Sequence, residues 1–202
     1  MTPRQAYQER VKEIAHRDFE TGQIVLLGDC VIEHIDLKRF FPDVIMYNNG
    51  VKGDNTRTLK DTLFKRAIKY KPSKLFLSIG SNDLAYESYG VRDVYQNIID
   101  IVETIQRRSK DTEIYLVTPL PVHPALNWDN LSDMTERLDN LDISLLHYYL
   151  KNYARRNDIH IVDAYLHLKN DFDQLCSDYT SDGFHLNDAG YERYTALIRK
   201  YC

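Results

Sequence analysis

Ile24-Val25-Leu26-Leu27-Gly28-Asp29-Cys30 is the stretch on which the fold turns. A short run of β-branched and leucine residues that stops at a Gly-Asp pair reads as a buried strand entering a tight turn. Cys30 is then left at the mouth of a helix. Strand-like runs of the same kind occupy Gln23 to Leu27, Val44 to Tyr47, Leu75 to Ile79, Ile114 to Thr118 and Ile159 to Asp163. Between them the apolar residues recur at helical spacing: Leu59, Leu63, Ala67 and Ile68, then Val94, Ile98, Val102 and Ile105, then Leu138, Leu141, Leu145 and Tyr149. A closing helix carries Tyr191, Tyr194, Leu197, Ile198 and Tyr201, and an opening one starts at Pro3 with Tyr7, Val11 and Ile14 on one face. Strands that alternate with helices pair in parallel through right-handed crossovers, and unbroken apolar strands are covered on both faces. The expected architecture is α/β, a three-layer α/β/α sandwich around a five-stranded parallel sheet.

The chain has 202 residues, of which 43% are hydrophobic, which suits one domain spanning 1–202 with a continuous core. The formal net charge of -4 leaves no basic surplus for phosphates, so no nucleic-acid partner is expected and a small-molecule substrate fits better. Met1 to Glu20 holds no apolar signal region, and no later run approaches the ~20 residues of a membrane span. Cys30, Cys176 and Cys202 are far apart and odd in number, unlike a zinc site or a disulfide framework. A reducing cytoplasm is the expected home. Asp182 and His185 lack third and fourth partners at ligand spacing, so neither metal nor other cofactor is expected.

In an open parallel sheet, ligands bind outside the carboxyl ends of the strands, and the chemically suggestive segments all fall there. Gly28-Asp29-Cys30 follows the first strand, Gly53 the second, and Gly80-Ser81-Asn82-Asp83 the third. The longest irregular stretch, Pro119 to Ser132, follows the fourth; it contains His123 and Trp128 and reads as a substrate-side loop. Ser181-Asp182-Gly183-Phe184-His185 precedes the last helix, with a carboxylate three positions ahead of an imidazole: a base and its orienter. Taken singly these residues have plainer uses. Cys30 is a small buried hydrophobe, Gly53 and Asn82 are turn residues, His123 is a solvated loop histidine, and Asp29 bonds backbone groups of its own turn.

Taken together and in order, the four segments resemble the SGNH (GDSL-type) hydrolase family, nearest to the branch similar to platelet-activating-factor acetylhydrolases. Asn48-Asn49-Gly50-Val51-Lys52-Gly53-Asp54 aligns on that family's second block. Three of the four family letters match; the first block ends in Cys30 where the family has serine. The resemblance implies a flavodoxin-like SGNH hydrolase fold and cleavage of short acyl esters, acetyl foremost, carried by a lipid or a sugar. It implies Cys30 as nucleophile, His185 as base and Asp182 as orienter, with an oxyanion hole made by the Cys30 and Gly53 N–H groups and the Asn82 amide. His123 is a candidate for substrate contact. The thiol itself admits three readings: a nucleophile activated by His185 and the helix N-terminus, the mark of an inactive module that binds an acylated ligand, or an altered serine enzyme. A nucleotide-binding flavodoxin-like module is a weaker alternative, because no Gly-x-Gly-x-x-Gly opens a helix.

Overall fold

The computed structural model describes residues 1–87, 89–126 and 133–202. Five strands, β1 (Ile24–Gly28), β2 (Met46–Gly50), β3 (Lys74–Ser78), β4 (Glu113–Val117) and β5 (His160–Val162), pair in parallel in the order β2-β1-β3-β4-β5. The α-helices among the described residues are α1 (Pro3–His16), α2 (Cys30–Glu33), α3 (Leu37–Phe40), α4 (Thr56–Arg66), α5 (Ser81–Tyr86), α6 (Val91–Arg108), α7 (Met134–Arg137), α8 (Asn140–Arg156), α9 (Ala164–Leu168) and α10 (Asp188–Arg199). No helix among the described residues is long and apolar enough to cross a membrane.

The unbroken apolar strands divide their side chains between two cores. Leu26, Phe76, Tyr115 and Val117 point to one face and pack with α2, α9 and α10. Val25, Leu27, Leu75, Leu77, Ile114 and Leu116 point to the other and pack with α1, α4, α6 and α8. Successive residues of a strand face opposite ways, so a sheet sandwiched between helices needs both parities apolar. This is the expected three-layer sandwich. α1 begins as its sequence suggests: Thr2 caps it in a capping box with Gln5, and Val11 and Ile14 are buried.

Two details depart from the sequence reading. β2 starts at Met46 rather than Val44 and continues through Asn48, Asn49 and Gly50, while Ile45 is 61% exposed. The asparagines are strand residues because their amides serve backbone carbonyls that would otherwise be orphaned. Asn48 Nδ2 donates to Ile32 O at 2.7 Å and Ile35 O at 3.1 Å, and Asn49 Nδ2 donates to Arg66 O. On α8 the buried side is Ile143, Leu146, His147, Leu150 and Ala154, whereas Leu141 is 77% exposed and Leu145 40%. Leu138 belongs to the end of α7, and Asp139 caps α8 from Leu141 N, so the helix begins later and faces differently than the leucine spacing suggests.

The strand order reverses direction at β1: the chain leaves it for β2 on one side, then returns to β3 on the other. This is the topological switch point where open α/β sheets form their ligand crevice.

Candidate active site

The turn before α10 is built around one carboxylate. Asp182 Oδ1 accepts from the backbone N–H groups of Phe184 at 2.9 Å and His185 at 2.7 Å, and Asp182 Oδ2 lies 2.6 Å from His185 Nδ1. Burial works to raise the Asp182 pKa, but the bonds from the His185 ring and the two backbone N–H groups outweigh it and hold the carboxyl below its usual range. An ionised Asp182 fixes the proton on Nδ1, which turns Nε2 outward as the acceptor; among the described residues Nε2 bonds to nothing. Gly183 makes the turn possible. Its φ is +82°, and a Cβ there would lie 2.4 Å from His123 O. His123 and Gly183 are joined directly, His123 N donating to Gly183 O at 2.8 Å, so the loop after β4 is fastened to the base-bearing turn.

Cys30 is the first residue of α2 and is 4% exposed. Its thiol is pushed well above its ordinary range, by burial first and by the Asp29 carboxylate second, against a smaller opposing pull from Lys52. The activation by a helix N-terminus is therefore overridden. α2 has four residues, so its dipole is small, and its capping group is itself an acid. Asp29 accepts from Val31 N at 3.0 Å, and its own carboxyl is pushed up to about 7, chiefly by burial. Among the described residues the Cys30 thiol bonds no group outside its own residue. The link from α2 to the base runs through His34, whose N–H bonds Cys30 O at 3.1 Å and whose ring centroid is 6.1 Å from that of His185. Burial and the neighbouring His185 lower the His34 pKa.

Gly53 has a φ of +77° and open space where a Cβ would stand, and among the described residues its N–H donates to no protein group. The Cys30 N–H, at the first turn of α2, is likewise unspent. Asn82, on the first turn of α5, is buried and donates from Nδ2 to Asp54 O at 2.8 Å, which ties the segment after β3 to the one after β2. Ser81 is buried beside it. The described part of the Pro119 loop is anchored by Asn140, which donates to Val122 O at 2.9 Å and accepts from Val122 N at 2.8 Å. His123 Nδ1 is buried and, among the described residues, has no hydrogen-bond partner. Trp128 lies outside the described residues.

Behind these segments sits a polar core that the sequence reading missed. Arg66 is fully buried and ion-paired with the equally buried Asp54. Its remaining donors go to Gly28 O at 2.9 Å, Asn49 O at 2.8 and 3.2 Å, and Thr62 Oγ1 at 3.2 Å. Asp83 accepts from Thr56 N at 3.0 Å and from the Thr56 hydroxyl, and burial pushes its pKa up to about 6. One signal was available: Arg66 continues the stripe of Leu59 and Leu63 on the apolar face of α4, a place for a cation only if it has partners.

Comparison with known proteins adds the lineage. A chain from Streptococcus pneumonia, a candidate platelet activating factor, superposes with a TM-score of 0.87 at 24% identity, covering 98% of this chain and 92% of that one. A catalytic mutant of an acetylxylan esterase from Geobacillus stearothermophilus superposes with a TM-score of 0.66 at 16% identity, covering 91% and 95%. In sequence, the chain is 23% identical over 195 residues to the N-acylneuraminate cytidylyltransferase of Escherichia coli O18:K1:H7 (strain RS218 / NMEC), covering 93% of this chain but only 42% of that protein. It thus spans about two fifths of that relative's length. The profile of one family matches residues 36–193, starting beyond Cys30 and including Gly53, Asn82, Asp182 and His185. By that match the chain belongs to the GDSL-like Lipase/Acylhydrolase family.

Proposed function

We propose that the chain hydrolyses short acyl esters, acetyl esters of saccharides foremost, with Cys30, His185 and Asp182 as nucleophile, base and orienter. The observation that carries this reading is the 2.6 Å bond between Asp182 Oδ2 and His185 Nδ1, in a turn whose other carboxylate oxygen is locked by two N–H groups. His185 Nε2 takes the thiol proton as Sγ attacks the carbonyl carbon. The negative charge that develops on the carbonyl oxygen is met by the Cys30 and Gly53 N–H groups and by Asn82 Nδ2. Collapse breaks the ester C–O bond, His185 returns the proton to the leaving alcohol, and water then cleaves the thioester by the same route in reverse. A saccharide alcohol is favoured by the acetylxylan esterase likeness and by the sugar-handling relative. His123, fastened to Gly183, is the proposed substrate contact.

One observation favours a second reading, a module that binds an acylated ligand without turning it over: the Cys30 thiol is buried and held protonated. Hydrolysis of p-nitrophenyl acetate and acetate release from acetylated xylan, measured for the protein and for Cys30→Ser, separate the two. Slow turnover that rises in Cys30→Ser and vanishes in His185→Ala supports the hydrolase. Absence of turnover from both forms, with acetylated xylo-oligosaccharide still bound, establishes the binding module.

A further inference from the structure

We propose that the cleft between α6 and α8 is a binding site for an anionic saccharide, separate from the ester chemistry. The cleft is a recess of about 560 Å³ whose walls carry Tyr95, Tyr148, Tyr149, Tyr153, Arg92 and Arg156. None of these residues belongs to the motif segments. The rings form one connected set: Tyr95 and Tyr149 are 5.4 Å apart at 50°, Tyr95 and Tyr153 6.4 Å apart at 78°, and Tyr148 and Tyr149 6.0 Å apart.

The cleft gathers unspent bonding capacity around one recess. Among the described residues, none of the four tyrosine hydroxyls makes a hydrogen bond, and neither guanidinium has an ion pair or a hydrogen bond. Other such groups are spent within the protein: Tyr7, Tyr70, Tyr115 and Tyr191 donate, Tyr47 accepts from Glu20 N–H, and Arg66 spends every donor. Tyrosines that serve only packing have no reason to gather with their hydroxyls free around a recess. Ring faces accept the C–H surface of a sugar, hydroxyls bond its hydroxyls, and a planar guanidinium pairs a carboxylate through two parallel bonds.

Charge fixes the class of sugar. The lining contains two cations and no carboxylate, on a chain whose net charge is -4. The acids on the neighbouring turns of α6 are engaged: Glu103 by Arg107 at 3.5 Å, and Asp100 by Lys60 at 2.8 Å and Gln96 at 3.0 Å. The recess continues past Tyr148 and Asn152 to Lys151 and Arg155. Lys151 is held by Asp163 at 2.7 Å, and Arg155, which has no ion pair among the described residues, is a further cation along the same groove. A chain of acidic sugar units matches this line of rings and positive charges; a neutral glycan leaves the guanidiniums without a counter-charge.

The test is isothermal titration with tetragalacturonate as the anionic probe and xylotetraose as the neutral one. Tetragalacturonate is expected to bind with Kd below about 1 mM and to weaken with added salt. Tyr149→Phe and Arg156→Gln, which remove one hydroxyl and one charge while keeping shape, should each weaken it by about three- to tenfold. Their thermal midpoints and their rate on p-nitrophenyl acetate should not change. The proposal is overturned if tetragalacturonate does not bind at about 10 mM, if xylotetraose binds as well, or if both variants bind like the parent. It is also overturned if sedimentation velocity shows self-association that Tyr149→Ala abolishes, because a second copy then fills the cleft.

Discussion

Replacing Asp29 by asparagine should stabilise the protein, and only above mildly acidic pH. Asp29 is 2% exposed, and its carboxyl is pushed up to about 7 from 3.8, by burial first and by Asp54 and Asp83 after it. The folded state therefore holds its proton at pH values where the unfolded chain has released it. Stability from this group is greatest in acid, falls as pH rises from about 4 through 7, and is level beyond. Between about pH 5 and pH 7 the fall is two units at about 1.4 kcal/mol each, or about 3 kcal/mol. Asparagine caps a helix as well as aspartate, so the bond from Val31 N survives and no charge remains to be buried. Urea unfolding at pH 5, 6, 7 and 8 and constant ionic strength should show the parent losing about 3 kcal/mol more than Asp29→Asn. A second readout follows from the same electrostatics: Asp29 is the second cause of the raised Cys30 thiol, so alkylation of Cys30 by iodoacetamide should quicken in the variant. Parallel stability curves for the two proteins, with equal alkylation rates, would refute the reasoning.

The remaining expectations concern the base and the polar core. Asp182→Asn can still accept from Phe184 N and His185 N but presents an NH2 to Nδ1, which forces the ring proton onto Nε2; kcat on p-nitrophenyl acetate should fall by about 10³- to 10⁴-fold with an unchanged circular dichroism spectrum. His185→Ala should abolish turnover without lowering the thermal midpoint, since its side chain is 34% exposed and, among the described residues, hydrogen-bonds Asp182 alone; residual turnover at the parent rate would remove it from the mechanism. Arg66→Met leaves Asp54 without its counter-charge and Gly28 O and Asn49 O without donors, and should cost about 3–5 kcal/mol in urea unfolding at pH 8, less at pH 5, because burial already raises the Asp54 pKa. A loss below about 1 kcal/mol would show that the pair is not the support described.

The architecture was legible because the strands are apolar on both parities, and in β1 and β3 a glycine at or just beyond the strand end, Gly28 and Gly80, makes period and punctuation agree. β2 resisted because two asparagines inside a strand look like a turn until their carbonyl partners on α2 and α4 are known. α8 was misphased because Leu138, Leu141 and Leu145 keep helical spacing while the burial is decided by the cap at Asp139. At the site, the Asp182–His185 pair could be read from local spacing, since three residues and one glycine close the turn. The protonated state of Cys30 could not, because it depends first on how deeply the fold buries the thiol and then on the neighbouring Asp29.

Gly53 and Gly183 share a left-handed backbone, with φ of +77° and +82°, yet they differ in how freely each position can vary over evolutionary time. At 53 a side chain would meet nothing within 4 Å, so asparagine or aspartate, which tolerate that conformation, can replace glycine at small cost. At 183 any side chain strikes His123 O and Thr135, and the turn and the loop after β4 must shift together. The two positions thus constrain descent differently. Lineages can drift at a residue proposed to face the substrate, while Gly183, which is proposed for no substrate contact, is frozen, because it transmits the position of one loop to the imidazole of another.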